Sequence, residues 1–235
     1  MNKRYGFENE MGATLDYGIH FLSYPVFEFG TEKIDSIEVP GRIGTLTRRT
    51  GEYSDTTIEN EIEFRAADRN EHELKMLEIR KFFMSTGRVV YTEEYYFRVK
   101  KVSIDDIKKK YGIFGNITVT FTCDPVMYLQ EGDVSVPISG TLRLYNPWSE
   151  SHPIFKISGE GVCKITVNGK EVSANVGQNL LINTDLMQAY REDGVLNNTA
   201  IAGDYEDLYL QEGLNEISVS SGFTAEVIPK WGVRL

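Results

Sequence analysis

The sequence predicts a mostly β protein built as two β-rich domains, the first of them carrying one α-helix. Three observations predict it. Short segments that alternate apolar and polar side chains recur along most of the chain, which is the period of a half-buried strand. A single stretch, Asn70 to Ser85, reads as a helix. A composition shift at Gln130-Glu131-Gly132-Asp133 marks a linker and divides the 235 residues into 1–132 and 133–235. Each part is long enough to bury its own core.

The elements follow in order. His20 to Gly30 is aromatic-rich and β-prone. Pro25 inside it implies an edge strand or a break between two strands. Ile34 to Val39 alternates roughly and ends at Pro40-Gly41, the pair that favours a type II turn. Thr57 to Phe64 places Ile58, Ile62 and Phe64 on one face. In the helix Asn70 is the expected cap, Glu71 and Glu73 lie in the first turn, Arg80 and Lys81 near the end, and Gly87 beyond it as the stop. Its apolar residues do not form one narrow stripe, so it packs on more than one side or touches a partner. Gly87–Tyr91 and Tyr95–Val102 form a strand pair joined near Glu93-Glu94. Lys108-Lys109-Lys110 reads as a solvated loop. Gly115 to Cys123 alternates again, and Asp124-Pro125 is expected to end it.

The second part is a run of short strands at about ten-residue spacing, the pattern of a β-sandwich. Asn168-Gly169 between alternating runs predicts a type I′ hairpin. Asn179–Thr184, Asn215–Ser220 and Thr224–Pro229 read as further strands, and Gly159-Glu160-Gly161 as a turn.

Composition narrows the function. The formal charge is −10, with 18 basic and 22 acidic residues up to Gly132 and 7 and 13 after it. Neither part offers the basic face that nucleic-acid phosphates require, and duplex DNA is repelled by the summed field. No run of about 18 apolar residues is present, so no membrane helix is expected. Met1 to Gly6 starts charged with no apolar stretch behind it, which is not a secretory signal. Cys123 and Cys163 are expected as reduced, buried, small hydrophobes.

Catalytic signatures are absent. His20, His72 and His152 lie far apart in sequence, outside metal-ligand spacing. No nucleophile elbow, phosphate-binding loop or dinucleotide loop occurs. Carboxylates are abundant, as in any acidic protein. Trp148, Tyr190, Tyr205, Tyr209 and Trp231 are candidates for sugar stacking, although aromatics in small sandwiches are mostly core. No enzymatic activity, metal or cofactor is expected.

Four segments together resemble the distal tail protein (Dit) family of siphophages. Ile37-Glu38-Val39-Pro40-Gly41-Arg42-Ile43-Gly44-Thr45-Leu46 is similar to that family's VPGRDG-L segment, with Ile43 in place of the acidic residue. Phe121 to Tyr128 is similar to its aromatic strand ending in P-x-x-Y. Leu144-Tyr145-Asn146-Pro147-Trp148, followed by His152-Pro153-Ile154-Phe155-Lys156-Ile157-Ser158-Gly159, is similar to its N-P-G…Y-P-I-I-K-I-x-G segment. The Asn168-Gly169 hairpin, Ile182 to Asp185, Ala189-Tyr190, Gly213 to Ile217 and the closing Ile228-Pro229-Lys230-Trp231 complete the series. Their order spans nearly the whole chain.

The resemblance implies a belt domain over 1–132, a β-sandwich with one helix and a long hairpin. It implies a galectin-like, jelly-roll domain over 133–235. Six copies would close a ring at the tail tip of the virion, assembled in the host cytoplasm, with a channel through which DNA passes without specific binding. The ring would join the tail tube and tape-measure proteins to a Tal-like tail-tip protein and a receptor-binding protein. A cyclic interface is heterologous, so each subunit needs two different patches. The candidate ring-interface residues are Tyr24, Phe27, Phe29, Val39, Pro40, Gly41, Arg42, Leu46, Tyr95 and Phe97. The alternative function is a carbohydrate-binding module for host cell-wall saccharide.

Overall fold

The computed structural model describes residues 5–24, 26–28, 30–105, 108–110 and 113–234, with Phe27 and 108–110 by backbone alone. The chain divides into two units. One comprises Met1–Met127 with Arg234–Leu235, the other Tyr128–Val233. The fold is mostly β with one α-helix, as the alternating pattern implies.

In the first unit, β1 (Gly6–Asn9) and β2 (Gly12–Ala13) form a tight antiparallel pair. β3 (Ile19–Phe21) and β4 (Val26–Phe27) are separate short strands that both lie along β7 (Thr56–Arg65). The expected interruption of His20–Gly30 is therefore present, while Pro25 and Phe29 lie outside the described residues. Among the described residues β5 (Glu32–Ile37) and β6 (Leu46–Tyr53) pair only with each other, in a two-stranded sheet of their own. After β7 come α1 (Arg69–Phe83), β8 (Gly87–Val90), β9 (Tyr95–Ile104), β10 (Lys108–Lys110) and β11 (Phe114–Leu129). The main sheet runs β2-β1-β8-β9-β11-β7-β3, with β10 on β11 and β4 on β7.

Alternation explains the core. β7 buries Ile58, Ile62 and Phe64, and β11 buries Ile117, Val119, Phe121 and Cys123. The helix adds Ile79, Phe82 and Phe83 to the same cluster. Phe7 lies 5.5 Å from Phe82, 5.4 Å from Phe83 and 5.3 Å from Phe121, ring centroid to centroid. Each fully buried phenyl contributes about 1.5–3 kcal/mol by leaving water, so these rings dominate the unit.

Three local expectations are corrected. The helix starts at Arg69 and its cap is Asp68, whose carboxylate accepts the Asn70 and Glu71 N–H groups at 2.8 and 2.9 Å. An acceptor one residue earlier catches two of the free amides of the first turn. β11 does not end at Asp124-Pro125 but continues to Leu129. Its pairing with β7 stops at Cys123 opposite Thr56, so Pro125 removes no donor from that ladder. Lys108–Lys110 is strand backbone paired with Phe114–Asn116, not a loop.

The second unit contains β12 (Val136–Ile138), β13 (Thr141–Asn146), β14 (Ile154–Val167), β15 (Lys170–Asn183), β16 (Gln188–Tyr190), β17 (Ile201–Ala202), β18 (Gly213–Val219) and β19 (Thr224–Ile228). Its spine is the β14–β15 hairpin, in register from Ile154–Asn183 to Val167–Lys170. The turn holds Asn168 at φ 52° and Gly169 at φ 84°, as a type I′ turn demands. β14 changes neighbours along its length: Ile154–Ser158 pairs with β19 and Ile165–Val167 with β18. The change falls at Gly159-Glu160-Gly161, expected as a turn and found inside the strand. Gly159 has φ 150°, and a Cβ there would meet the Phe223 ring at 2.5 Å. Glycine thus marks the place where the sheet curls and a ring closes over the backbone.

The expected linker is not slack. Gln130–Asp133 forms a 3-10 turn with Gly132 buried. The Lys230 N–H donates to the Gly132 carbonyl at 2.8 Å, and the Lys230 ammonium lies 2.8 Å from Asp133.

Candidate functional site

The β5–β6 hairpin is an arm. Pro40 and Gly41 form its turn, with Gly41 at φ 81° and the Arg42 N–H donating to the Val39 carbonyl at 3.1 Å. A left-handed third residue behind proline is the type II geometry, and glycine adopts it without strain. Ion pairs Lys33–Glu52 at 3.1 Å and Arg49–Glu32 at 3.5 Å cross between the strands. Nearly every arm residue is exposed, and that includes Ile34, Ile37, Val39, Ile43 and Leu46. A lone two-stranded ribbon is at best marginally stable in water. Exposed branched apolar side chains gathered on such a ribbon are more than the scattered single ones of an ordinary surface.

The arm gathers five of the expected interface residues: Val39, Pro40, Gly41, Arg42 and Leu46. The others lie elsewhere. Tyr24 is 77% exposed and borders a cavity of about 540 Å³ with Tyr5, Ile19, Phe21, Tyr91 and Glu93. Phe27 belongs to β4. Tyr95 is half-buried at the start of β9. Phe97 is 0% exposed within the core cluster. It is withdrawn from the surface set, because a fully enclosed side chain presents nothing to a partner.

Beneath the Tyr24 cavity sits a polar anchor. The Tyr5 hydroxyl donates to the Asn60 side-chain oxygen, and the buried Asn60 amide donates to the Ser23 carbonyl at 3.2 Å. Burial, reinforced by Cys123 and Tyr91, pushes the Tyr5 phenol far above its usual value. It therefore stays neutral and holds the cavity wall.

Two surfaces lie outside the candidate set drawn from the sequence. The helix exposes Leu74, Leu77 and Met84 away from Ile79, Phe82 and Phe83, and the lack of a single apolar stripe signals this. β7 turns Glu59, Glu61 and Glu63 outward, complementary to its buried Ile58, Asn60, Ile62 and Phe64. The same alternation that identifies the inward face encodes the outward one.

In the second unit, polar groups converge around His152. Its ring stacks on Tyr209 at 4.1 Å, its Nδ1 lies 3.2 Å from Asp185 and its Nε2 3.8 Å from Glu150. Gln211 donates to Glu150 at 2.7 Å. Of the candidate stacking aromatics, Trp231 is buried, while Trp148, Tyr190, Tyr205 and Tyr209 are half-buried. Cys123 and Cys163 are both buried free thiols. Among the described residues no group of three or more His, Cys, Asp or Glu side chains could hold a metal ion.

No family model matches the sequence, and no curated protein matches it. The fold is similar to a crystal structure described as SPP1 Dit (gp 19.1), a paradigm of hub adsorption apparatus in Gram-positive infecting phages. The TM-score is 0.60 at 14% sequence identity, over 96% of this chain and 98% of that one.

Proposed function

We propose that this chain is a structural component of a phage tail tip, a hub protein of which six copies close into a ring. The observation that carries this reading is the end-to-end likeness, over 96% and 98% of the two chains, to a protein described as a hub of the adsorption apparatus. The order of the distal-tail-protein segments in the sequence supports it independently. Residues 1–132 form the ring and 133–235 project from it. The ring joins the tail tube and tape-measure proteins to the tail-tip and receptor-binding proteins. Its role is mechanical rather than catalytic, and it acts in the virion after assembly in the host cytoplasm.

Two features fit this role. The exposed arm supplies one patch of a heterologous interface, and a cyclic assembly needs a different patch to receive it. The formal charge of −10 suits a channel in which DNA slides without adhering.

The experiment is the solution mass of the purified protein, by light scattering over a range of concentrations, with electron microscopy of the largest species. A mass near six chains and particles with a central opening are expected. A monomer at every concentration, or an open filament, overturns the ring.

A further inference from the structure

We infer that Asn168 is a deamidation site held shut by its hydrogen bonds to β18, with Asn215 as the lock, and that its conversion frees the hairpin turn from β18 irreversibly. The site lies within the second unit and needs no neighbouring copy.

Chemistry singles the position out. Asn168-Gly169 is the one asparagine–glycine pair in the sequence. In the reaction the Gly169 backbone nitrogen attacks the Asn168 side-chain carbonyl carbon. A C–N bond forms, the nitrogen gives up its proton, and the side-chain amide leaves as ammonia. The five-membered imide then takes up one water molecule at either of its carbonyls. The product is an aspartate at position 168 or its isoaspartyl isomer, in which the main chain runs through the former side-chain carbons. Solvent water is the only co-reactant. Glycine carries no Cβ to hinder the attack, and Asn168 and Gly169 are both exposed to that water.

The fold opposes the first step twice. The type I′ turn holds Asn168 at φ 52°, with ψ about +30°. At that ψ the Gly169 nitrogen lies nearly opposite the Asn168 Cβ across the Cα–C bond. The reacting atoms are thus kept from the separation of about 3–3.5 Å that attack requires. The residue is also tied down. Its side-chain oxygen accepts the Glu216 N–H at 2.9 Å, its side-chain amide donates to the Asn215 oxygen at 2.8 Å, and its own N–H donates to the Glu216 carbonyl at 2.9 Å. Asn215 does not yield easily, because it is fully buried and donates to the Gln211 and Gly213 carbonyls. The imide therefore forms only when the turn has opened away from β18, and the rate follows the population of that opening.

Conversion removes the lock. An ionised aspartate accepts hydrogen bonds and donates none, so two acceptors then face each other where the Asn168–Asn215 bond was. The isoaspartyl isomer lengthens the backbone of a two-residue turn whose flanking Val167 and Lys170 are paired. Either product leaves the turn unable to close on β18 as before.

The test follows the full chain at mildly alkaline pH, folded and in guanidinium chloride. Mass spectrometry of the peptide containing residue 168 reads the gain of one dalton as NH2 gives way to OH. Asp193-Gly194, which rearranges through a similar imide, gains no mass and does not interfere. Folded wild type is expected to convert at least about tenfold more slowly than the unfolded chain. Asn215→Ala and the milder Asn215→Ser, each checked for folding by thermal melt, are expected to convert severalfold faster than folded wild type and at the same rate as wild type in guanidinium chloride. Asn168→Asp, which makes one product directly, is expected to denature at a lower midpoint than wild type. Equal rates for folded and unfolded wild type overturn the gate. Folded Asn215 variants as slow as wild type overturn Asn215 as the lock. An Asn168→Asp chain as stable as wild type overturns the release. Should neither Asn215 variant fold, the folded-to-unfolded ratio of wild type still decides the gate.

Discussion

Asn168, at the turn of the long hairpin of the second unit, donates its side-chain amide to the Asn215 side-chain oxygen at 2.8 Å across 47 residues of sequence. The Asn168 side-chain oxygen in turn accepts the Glu216 N–H at 2.9 Å. Asn215 is 0% exposed. Its own amide donates to the carbonyls of Gln211 and Gly213 at 2.8 and 3.1 Å, and its oxygen also accepts the Gln211 N–H. A buried polar side chain is tolerated here because its hydrogen-bonding atoms are all engaged. It ties the hairpin turn to the start of β18.

Asn215→Ala therefore removes the partner of several groups at once. A loss of about 2–3 kcal/mol is expected, since buried donors and acceptors left without partners cost more than the bond itself was worth. Chemical denaturation followed by fluorescence measures it. A loss below about 0.5 kcal/mol, the range of ordinary surface changes, means the network is not a structural tie.

In the first unit Asp124 is the buried partner of two cations. Arg98 donates to its carboxylate, and the Lys100 ammonium lies 3.0 Å from it and 2.7 Å from Asp55. Both cations remain about half exposed, whereas Asp124 does not. Asp124→Ala is expected to cost about 1–3 kcal/mol through the lost charge-assisted bonds. Lys100→Met is expected to cost under about 1 kcal/mol, because a solvent-facing cation gives little. Equal losses for the two substitutions contradict this asymmetry.

Alkaline pH should weaken the same unit. Burial, with smaller contributions from Asp124 and Asp55, pushes the Cys123 thiol from 9.0 to about 12. Lys100 moves up too: burial works against its charge, but its bonds to Asp55 and Asp124 outweigh that. A folded-state value above the unfolded one means that stability is fully present below the unfolded value and is lost as pH rises through the folded one. Denaturation midpoints should thus hold up to about pH 9 and fall from there towards pH 12, and Cys123→Ala should flatten part of that fall. Ellman's reagent should find no reactive thiol in the folded protein at pH 8, since burial keeps both cysteines protonated.

The mostly β class, the single helix and the Asn168-Gly169 hairpin are legible because each has a local cause: a two-residue period, a run of helix formers with charged ends, a turn needing two positive φ values. What fails to read locally depends on neighbours distant in sequence. Asp124-Pro125 looks like a stop, yet β11 runs on past the end of its β7 ladder, where Pro125 costs that ladder no donor. Gly159-Glu160-Gly161 looks like a turn, yet Phe223 packs over it and the strand runs on. Tyr95-Tyr96-Phe97 is an unbroken aromatic run, so alternation does not say which ring faces the core, and the surface assignment of Phe97 fails there. The arm is visible through Pro40-Gly41 and its flanking residues. The outward face of β7, with Glu59, Glu61 and Glu63, looks in sequence like the solvent side of any half-buried strand, and the fold adds that none of the three has an ion pair among the described residues.

The arm gives the sharpest separation between folding and assembly. Its residues are almost all exposed, and neither strand belongs to the main sheet. Gly41 needs φ 81° for the turn, a conformation that a β-branched residue adopts only with strain. Gly41→Val should therefore splay the turn and disturb Arg42, Ile43 and Leu46 while leaving the core intact. Thermal stability is expected to change by less than about 0.5 kcal/mol, the range of surface substitutions. Self-association is expected to fall by about tenfold, because ordering a loosened arm adds an entropic cost to every contact it makes. A variant that melts much earlier than wild type would place the arm in the folding core. One that associates undiminished would remove the arm from the interface and leave the helix face of Leu74, Leu77 and Met84 as the surface to test.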